Sequence, residues 1–125
     1  MRVLVADDSP VVRRLVVARL QADGHDVLQA ADGLEAVDVA LREQPDLLVL
    51  DRVMPKMDGL EVCDRLRADE RTRDVGILML TDHGGEQAMI EGIARGADEF
   101  MSKPFSPREL SVRVRLVGAR RGTRG

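Results

Sequence analysis

The sequence has no tryptophan and no tyrosine, two phenylalanines, two histidines and a single cysteine. Each scarcity excludes something. One cysteine cannot close an internal disulfide, so the chain is not a small secreted scaffold held by cross-links. Cys63 falls in an apolar helical pattern and reads as a buried thiol, not a nucleophile or metal ligand. His25 and His83 lack the spacing of a zinc site. No G-x-x-x-x-G-K-[ST] or G-x-G-x-x-G segment occurs, which removes the usual signatures of nucleotide and dinucleotide binding. No apolar run is long enough to span a bilayer, and the N-terminus lacks the order of a signal peptide. A cytoplasmic location and no membrane partner are therefore expected.

What is present suffices for one domain. The chain has 125 residues, 44% of them hydrophobic, enough to fill a core. The formal net charge of −3 hides an asymmetry. From Arg108 to Gly125 there are six arginines and one glutamate, a balance of +5, which leaves −8 on the remainder. The basic end reads as a solvated helix face with a frayed tail. A domain over 1–119 is expected, with 120–125 a basic tail or the start of a linker, and Gly118 onwards loose.

Short apolar runs alternate with helix-period segments along the whole length. Val3 to Ala6 reads as a buried strand, and Ser9-Pro10 starts a helix whose face is Val12, Leu15, Val16 and Leu20, ended by Gly24. Asp26 to Ala30 is a second strand. Asp32 and Glu35 have capping-box spacing before the helix of Val37, Ala40 and Leu41. Leu47 to Leu50 is uniformly apolar, a strand covered on both faces. A third helix runs from Asp58 to about Leu66, Ile77 to Leu80 is a fourth strand, and Met89, Ile90, Ile93 and Ala94 mark a helix ended by Gly96. Asp98 to Ser102 is a short strand. Ser106-Pro107-Arg108-Glu109 opens the last helix, with Leu110, Val114 and Val117 as its buried stripe. Five strands alternating with five helices predict an α/β fold, a doubly wound five-stranded parallel sheet with helices on both faces.

In such a sheet every strand ends at one edge, where ligands bind. The polar residues that end the strands therefore converge: Asp7-Asp8 after the first, Asp51 after the third, Thr81 after the fourth, and Lys103 beyond the fifth. Crowded carboxylates suit a hard divalent cation such as Mg²⁺. Lys103 and Thr81 are then candidates to hold phosphoryl oxygens, and a carboxylate is a competent nucleophile for an aspartyl phosphate. Each residue also has an ordinary structural role available, Asp8 as a helix cap and Thr81 as a strand end. Asp51 has the least plausible one, because a charge closing a fully apolar strand is costly unless used. Lys103 is one of only two lysines in an arginine-rich chain.

Over Arg2 to about Val117 the sequence resembles the receiver domains of response regulators. The resemblance is carried by Asp7-Asp8, by Asp51-Arg52-Val53-Met54-Pro55 with Asp58-Gly59, by Leu80-Thr81, and by Lys103-Pro104-Phe105. It implies the flavodoxin-like strand order 2-1-3-4-5 and a phosphorylation-dependent signalling switch. Asp51 would be the phosphoacceptor. Asp8, Asp51 and the Val53 carbonyl would bind Mg²⁺, with Asp7 acting directly or through water, and Thr81 and Lys103 would contact the phosphoryl group. A cis Lys103-Pro104 bond is also implied. The donor would be a histidine kinase or phosphotransfer protein. The chain would catalyse only its own phosphorylation and dephosphorylation. Thr81 and an inward-turning Phe100 would form the switch, changing the face of the fourth helix, fifth strand and fifth helix to control an output domain or effector protein. Val112 and Leu116, one turn apart off the buried stripe, suggest a phosphorylation-dependent homodimer, while direct nucleic-acid binding by this domain is not expected.

The sequence departs from the family at several points. Phe100 stands where tyrosine is usual. Asp82 follows Thr81 where a small residue is usual, adding charge beside the site. Val53 gives no help in orienting water, which leaves dephosphorylation to His83 or makes it slow. Among rivals, a haloacid-dehalogenase-like hydrolase needs a second aspartate where Val53 stands. A receiver-like protein-interaction module that signals without phosphorylation remains the alternative, kept open by Asp82.

Overall fold

In a computed structural model, which describes residues 1–82 and 85–122 (for 121 and 122 the backbone alone), strands and helices alternate as the periodicity predicts. The elements are β1 (Arg2–Ala6), α1 (Pro10–Ala22), β2 (Asp26–Ala30), α2 (Gly33–Glu43), β3 (Leu47–Asp51), α3 (Gly59–Arg67), β4 (Gly76–Thr81), α4 (Glu86–Ala94), β5 (Glu99–Ser102) and α5 (Pro107–Gly122). All strand pairs are parallel, in the order β2-β1-β3-β4-β5. This is the doubly wound, flavodoxin-like arrangement.

The sheet divides the core by the two-residue period of its strands. Val3, Val5, Leu47, Val49, Leu78, Leu80 and Met101 face α1 and α5, where Val16, Leu20, Leu110, Val114 and Val117 cover them. Leu4, Ala6, Leu48, Leu50, Ile77, Met79 and Phe100 face α2, α3 and the small side of α4. Because β1, β3 and β4 are covered on both faces, their sequences are apolar without alternation.

The helix starts follow from local chemistry. Ser9, Asp32, Asp58 and Ser106 accept hydrogen bonds from the backbone N–H groups of Val12, Glu35, Glu61 and Glu109 at 3.3, 2.8, 2.9 and 3.0 Å. Two glycines let α2 and α3 begin against the loop that follows β3. A Cβ on Gly33 would lie 1.8 Å from the Met57 carbonyl oxygen, and one on Gly59 would lie 2.6 Å from that of Asp51.

Three details differ from the sequence reading. Leu15 is 65% exposed, and α1 buries Val16, Val17 and Leu20. The inward stripe is rotated by one residue, because α1 lies against both the sheet and α5, and Leu15 borders a groove with Phe105 and Pro107. The strand expected from Asp98 begins at Glu99, since the Asp98 carboxylate accepts from the Ile77 N–H at 2.8 Å. The last helix is not loose from Gly118. It continues to Gly122, with Arg120 reaching Glu99 at 3.2 Å and Met1 occupying the space a Gly118 side chain would need. Cys63 is buried as expected, and burial pushes its thiol up to about 12. Among the described residues, no helix is long and apolar enough to cross a membrane.

Candidate functional site

The parallel register delivers the chemistry to one edge. Ala6 pairs with Leu50, so Asp7 and Asp51 leave adjacent strands side by side, and Asp51 neighbours Leu80 one step before Thr81. Asp7, Asp8 and Asp51 each offer a carboxylate oxygen within 4.8 Å of the others. Asp7 and Asp51 are buried and Asp8 is exposed. Lys103 spans the two buried acids, its Nζ 3.2 Å from Asp7 Oδ2 and 3.3 Å from Asp51 Oδ1. Its backbone N–H donates to the Thr81 carbonyl at 2.7 Å, and its bond to Pro104 is cis.

Electrostatics separates the groups. Burial and the nearby Asp7 carboxylate raise the Asp51 carboxyl to about 6, against the pull of Lys103 and the Val53 N–H. Burial opposes the charge on Lys103, yet Asp51 and Asp7 outweigh it and its ammonium is held above the ordinary range. Three carboxylates facing one ammonium leave net negative charge in a partly buried recess. The donor set is all oxygen, with no histidine or cysteine in the cluster, which fits Mg²⁺ or another hard divalent cation.

The remaining expected residues fall around this centre. Thr81 is buried at the end of β4. Phe100 is 7% exposed and packs inward against Met79 and Gly92 under α4. Val53 is 68% exposed, so its side chain stays out of the cluster. Asp82 is exposed, does not belong to the three-carboxylate group, and lines a groove beside Lys103 with Val12, Leu15 and Phe105. His83 lies outside the described residues. Val112 and Leu116 are 38% and 50% exposed on α5, and they line a shallow groove with Arg108 and Arg113.

Two contacts escaped the sequence reading. Arg13 of α1 donates from Nη1 to the Asp7 carbonyl at 2.7 Å. Arg52, next to Asp51, pairs with Glu91 of α4 at 3.3 Å and so ties the loop after β3 to that helix. Arg13 had a signal available: it lies one helical turn beyond the Ser9 cap. Arg52 and Glu91 are 39 positions apart and had none.

Comparison with known proteins agrees with this fold. The family model "Response regulator receiver domain" matches residues 3–115. The chain is 47% identical over 116 residues to the DNA-binding dual master transcriptional regulator RpaA of Synechocystis, covering 93% of this chain and 48% of the relative. It is 44% identical to the alkaline phosphatase synthesis transcriptional regulatory protein PhoP of Bacillus subtilis, covering 93% of this chain and 48% of that one. The chain thus spans about half the length of these curated relatives. Among solved structures, chemotaxis response regulator CheY4 of Vibrio cholerae superposes with a TM-score of 0.89 at 36% identity, over 93% of this chain and 97% of that one.

Proposed function

The chain belongs to the response-regulator receiver-domain family, and from that premise we propose that it is a switch phosphorylated on Asp51 by a histidine kinase or phosphotransfer protein. The observation that carries this reading is Lys103 Nζ held at 3.2 and 3.3 Å between the buried Asp7 and Asp51 carboxylates, beside Asp8. An ammonium fixed there is placed to counter the charge on the oxygens of a phosphoryl group arriving at Asp51.

An Asp51 oxygen forms the new O–P bond as the donor's P–N bond breaks and its electron pair returns to the imidazole nitrogen. With a carboxyl raised to about 6, Asp51 is still mostly ionised at neutral pH and available as the nucleophile. Mg²⁺, when bound by Asp8, Asp51 and the Val53 carbonyl, with Asp7 directly or through water, supplies charge neutralisation for the carboxylates and phosphoryl oxygens. The Thr81 hydroxyl donates to a phosphoryl oxygen. Its movement, with Phe100 packed behind it, changes the α4, β5 and α5 face that addresses an output domain, an effector or a second copy. Two of the relatives carry transcription-regulator names and are about twice as long, which supports an output unit joined beyond α5.

Intact mass after incubation with Mg²⁺ and acetyl phosphate or phosphoramidate tests the acceptor. A gain of one phosphoryl group in the parent and none in Asp51→Asn is the expected result. A gain of equal size in both would move the acceptor elsewhere. No gain in either, from folded protein that binds Mg²⁺, would favour the phosphorylation-independent interaction module.

A further inference from the structure

The peptide group joining Asp7 to Asp8 sits between the two acids that end β1. Its carbonyl accepts a hydrogen bond from Arg13 Nη1 at 2.7 Å. The Asp7 side chain is already committed at both oxygens: Oδ1 accepts from the Ser9 N–H at 2.9 Å, and Oδ2 from Lys103 Nζ at 3.2 Å. Asp8 differs. It is exposed, and among the described residues it has no ion-pair partner. Among the described residues nothing grips its carboxylate, so its direction depends on the backbone that carries it.

A peptide group is planar, and fixing its carbonyl fixes the amide nitrogen on the other side. With the Asp7 carbonyl held by Arg13 and the Ser9 N–H held by Asp7 Oδ1, the peptide groups on both sides of the Asp8 Cα are fixed, which constrains where its Cα–Cβ bond points. The Arg13 guanidinium has two acids five and six residues before it, yet it has no carboxylate partner among the described residues. It spends its donor on a carbonyl and leaves the acids for something else.

We infer that Arg13 is a positioning residue for divalent-cation binding: by holding the Asp7 carbonyl it aims the otherwise unrestrained Asp8 carboxylate at Asp7 and Asp51. This rests on the reading of those three acids as a cation site, and it makes a prediction opposite in sign to simple electrostatics. A cationic side chain beside a Mg²⁺ site repels the ion, so its removal should tighten binding. A second-layer support should, when removed, weaken binding by about ten-fold or more.

Calorimetric titration of the full chain with Mg²⁺ at constant ionic strength decides between them, using Arg13→Met, Arg13→Lys and the exposed neighbour Arg14→Met. Melting in EDTA monitors the fold. The expected result is about ten-fold weaker binding in Arg13→Met, a smaller loss in Arg13→Lys, and unchanged or slightly tighter binding in Arg14→Met. Arg13→Lys keeps the charge, so weakening there isolates geometry even if Arg13→Met folds poorly. Parent-like or tighter binding in both Arg13 variants would overturn the role of Arg13 while leaving the cation site intact. A parent that takes up no Mg²⁺ would overturn the cation site itself, and this role with it.

Discussion

The two edges of the sheet handle charge in opposite ways. At the amino-terminal edge, Arg67 at the end of α3 donates to the Gly96 carbonyl at 2.8 and 3.1 Å, to Arg73 and Val75 carbonyls at 2.9 and 2.6 Å, and to Asp98 at 3.2 Å. Asp98 in turn accepts from the Ile77 N–H. Here a cation meets an anion and the carbonyls around it. At the carboxyl-terminal edge, Asp7, Asp8 and Asp51 crowd together, and Lys103 pairs with Asp7 and Asp51 alone. The first edge is arranged for stability. The second keeps a charge imbalance that a stable resting protein would not need, and that a cation and a phosphoryl group can use.

The sharpest test removes one charge from each edge. Arg67→Met takes away the partner of a side chain only 14% exposed, together with the bonds that tie α3 to the starts of β4 and β5. A loss of about 3 kcal/mol is expected, a fall of roughly 10 °C in Tm. Mg²⁺ affinity should not change. A stability loss under about 1 kcal/mol in urea unfolding would mean that the amino edge is not the anchor its bonding suggests.

Asp51→Asn should have the opposite sign. Asp51 titrates near 6 in the folded chain, above the ordinary carboxylate value of about 3.9. A raised folded value favours folding while the group is protonated, and that contribution is lost as pH rises through the interval from about 4 to 6. The amide does not titrate. In EDTA the variant should therefore match the parent near pH 4 and exceed it by about 1–2 kcal/mol at pH 7.5. Mg²⁺ should erode the difference by stabilising the parent. Urea unfolding at several pH values reads this directly, and a variant less stable than the parent at pH 7.5 would contradict the crowding of charge at this edge.

Much of this contrast was legible in the sequence. Strand-ending acids and Lys103 announce the carboxyl edge because parallel topology sends every strand end to one place. The helix starts were equally legible, since capping is local. The amino edge was not, because Arg67 reaches carbonyls that any residue supplies, and no residue type marks its partners. Other misses share that cause. Leu15 fits the helical stripe as well as Val17 does, and only the angle at which α1 meets α5 chooses between them. In α4 the apolar Met89, Ile90 and Ile93 that revealed the helix are its exposed side chains, while Ala88 and Gly92 meet the core. Periodicity identified the helix without telling which face was inward. The stretch from Gly118 read as loose because almost nothing in it is apolar, whereas the missing side chain of Gly118 makes room for Met1.

The smallest effect comes from a matched pair of backbone positions. Among the described residues, each edge has one non-glycine residue in the left-handed region, Gln44 with φ 47° after α2 and Lys56 with φ 72° in the loop beyond Asp51. Such a conformation costs roughly 1 kcal/mol, and glycine removes that cost while adding a similar entropy to the unfolded chain. At Gln44 the residue closes a helix, where glycine is preferred, so Gln44→Gly should gain a few tenths of a kcal/mol. Lys56→Gly also forfeits the exposed Lys56–Asp32 pair at 3.4 Å and should leave stability about unchanged. Function should separate them. The loop holding Lys56 also carries Val53 and Pro55 and is clamped by Gly33 and Gly59, so loosening it should weaken Mg²⁺ binding, whereas Gln44→Gly should not touch it. Parallel urea and Mg²⁺ titrations of the two variants would show this. Equal Mg²⁺ affinities would mean that the loop geometry survives without a restrained residue at position 56, and that the carboxyl edge depends on its charges alone.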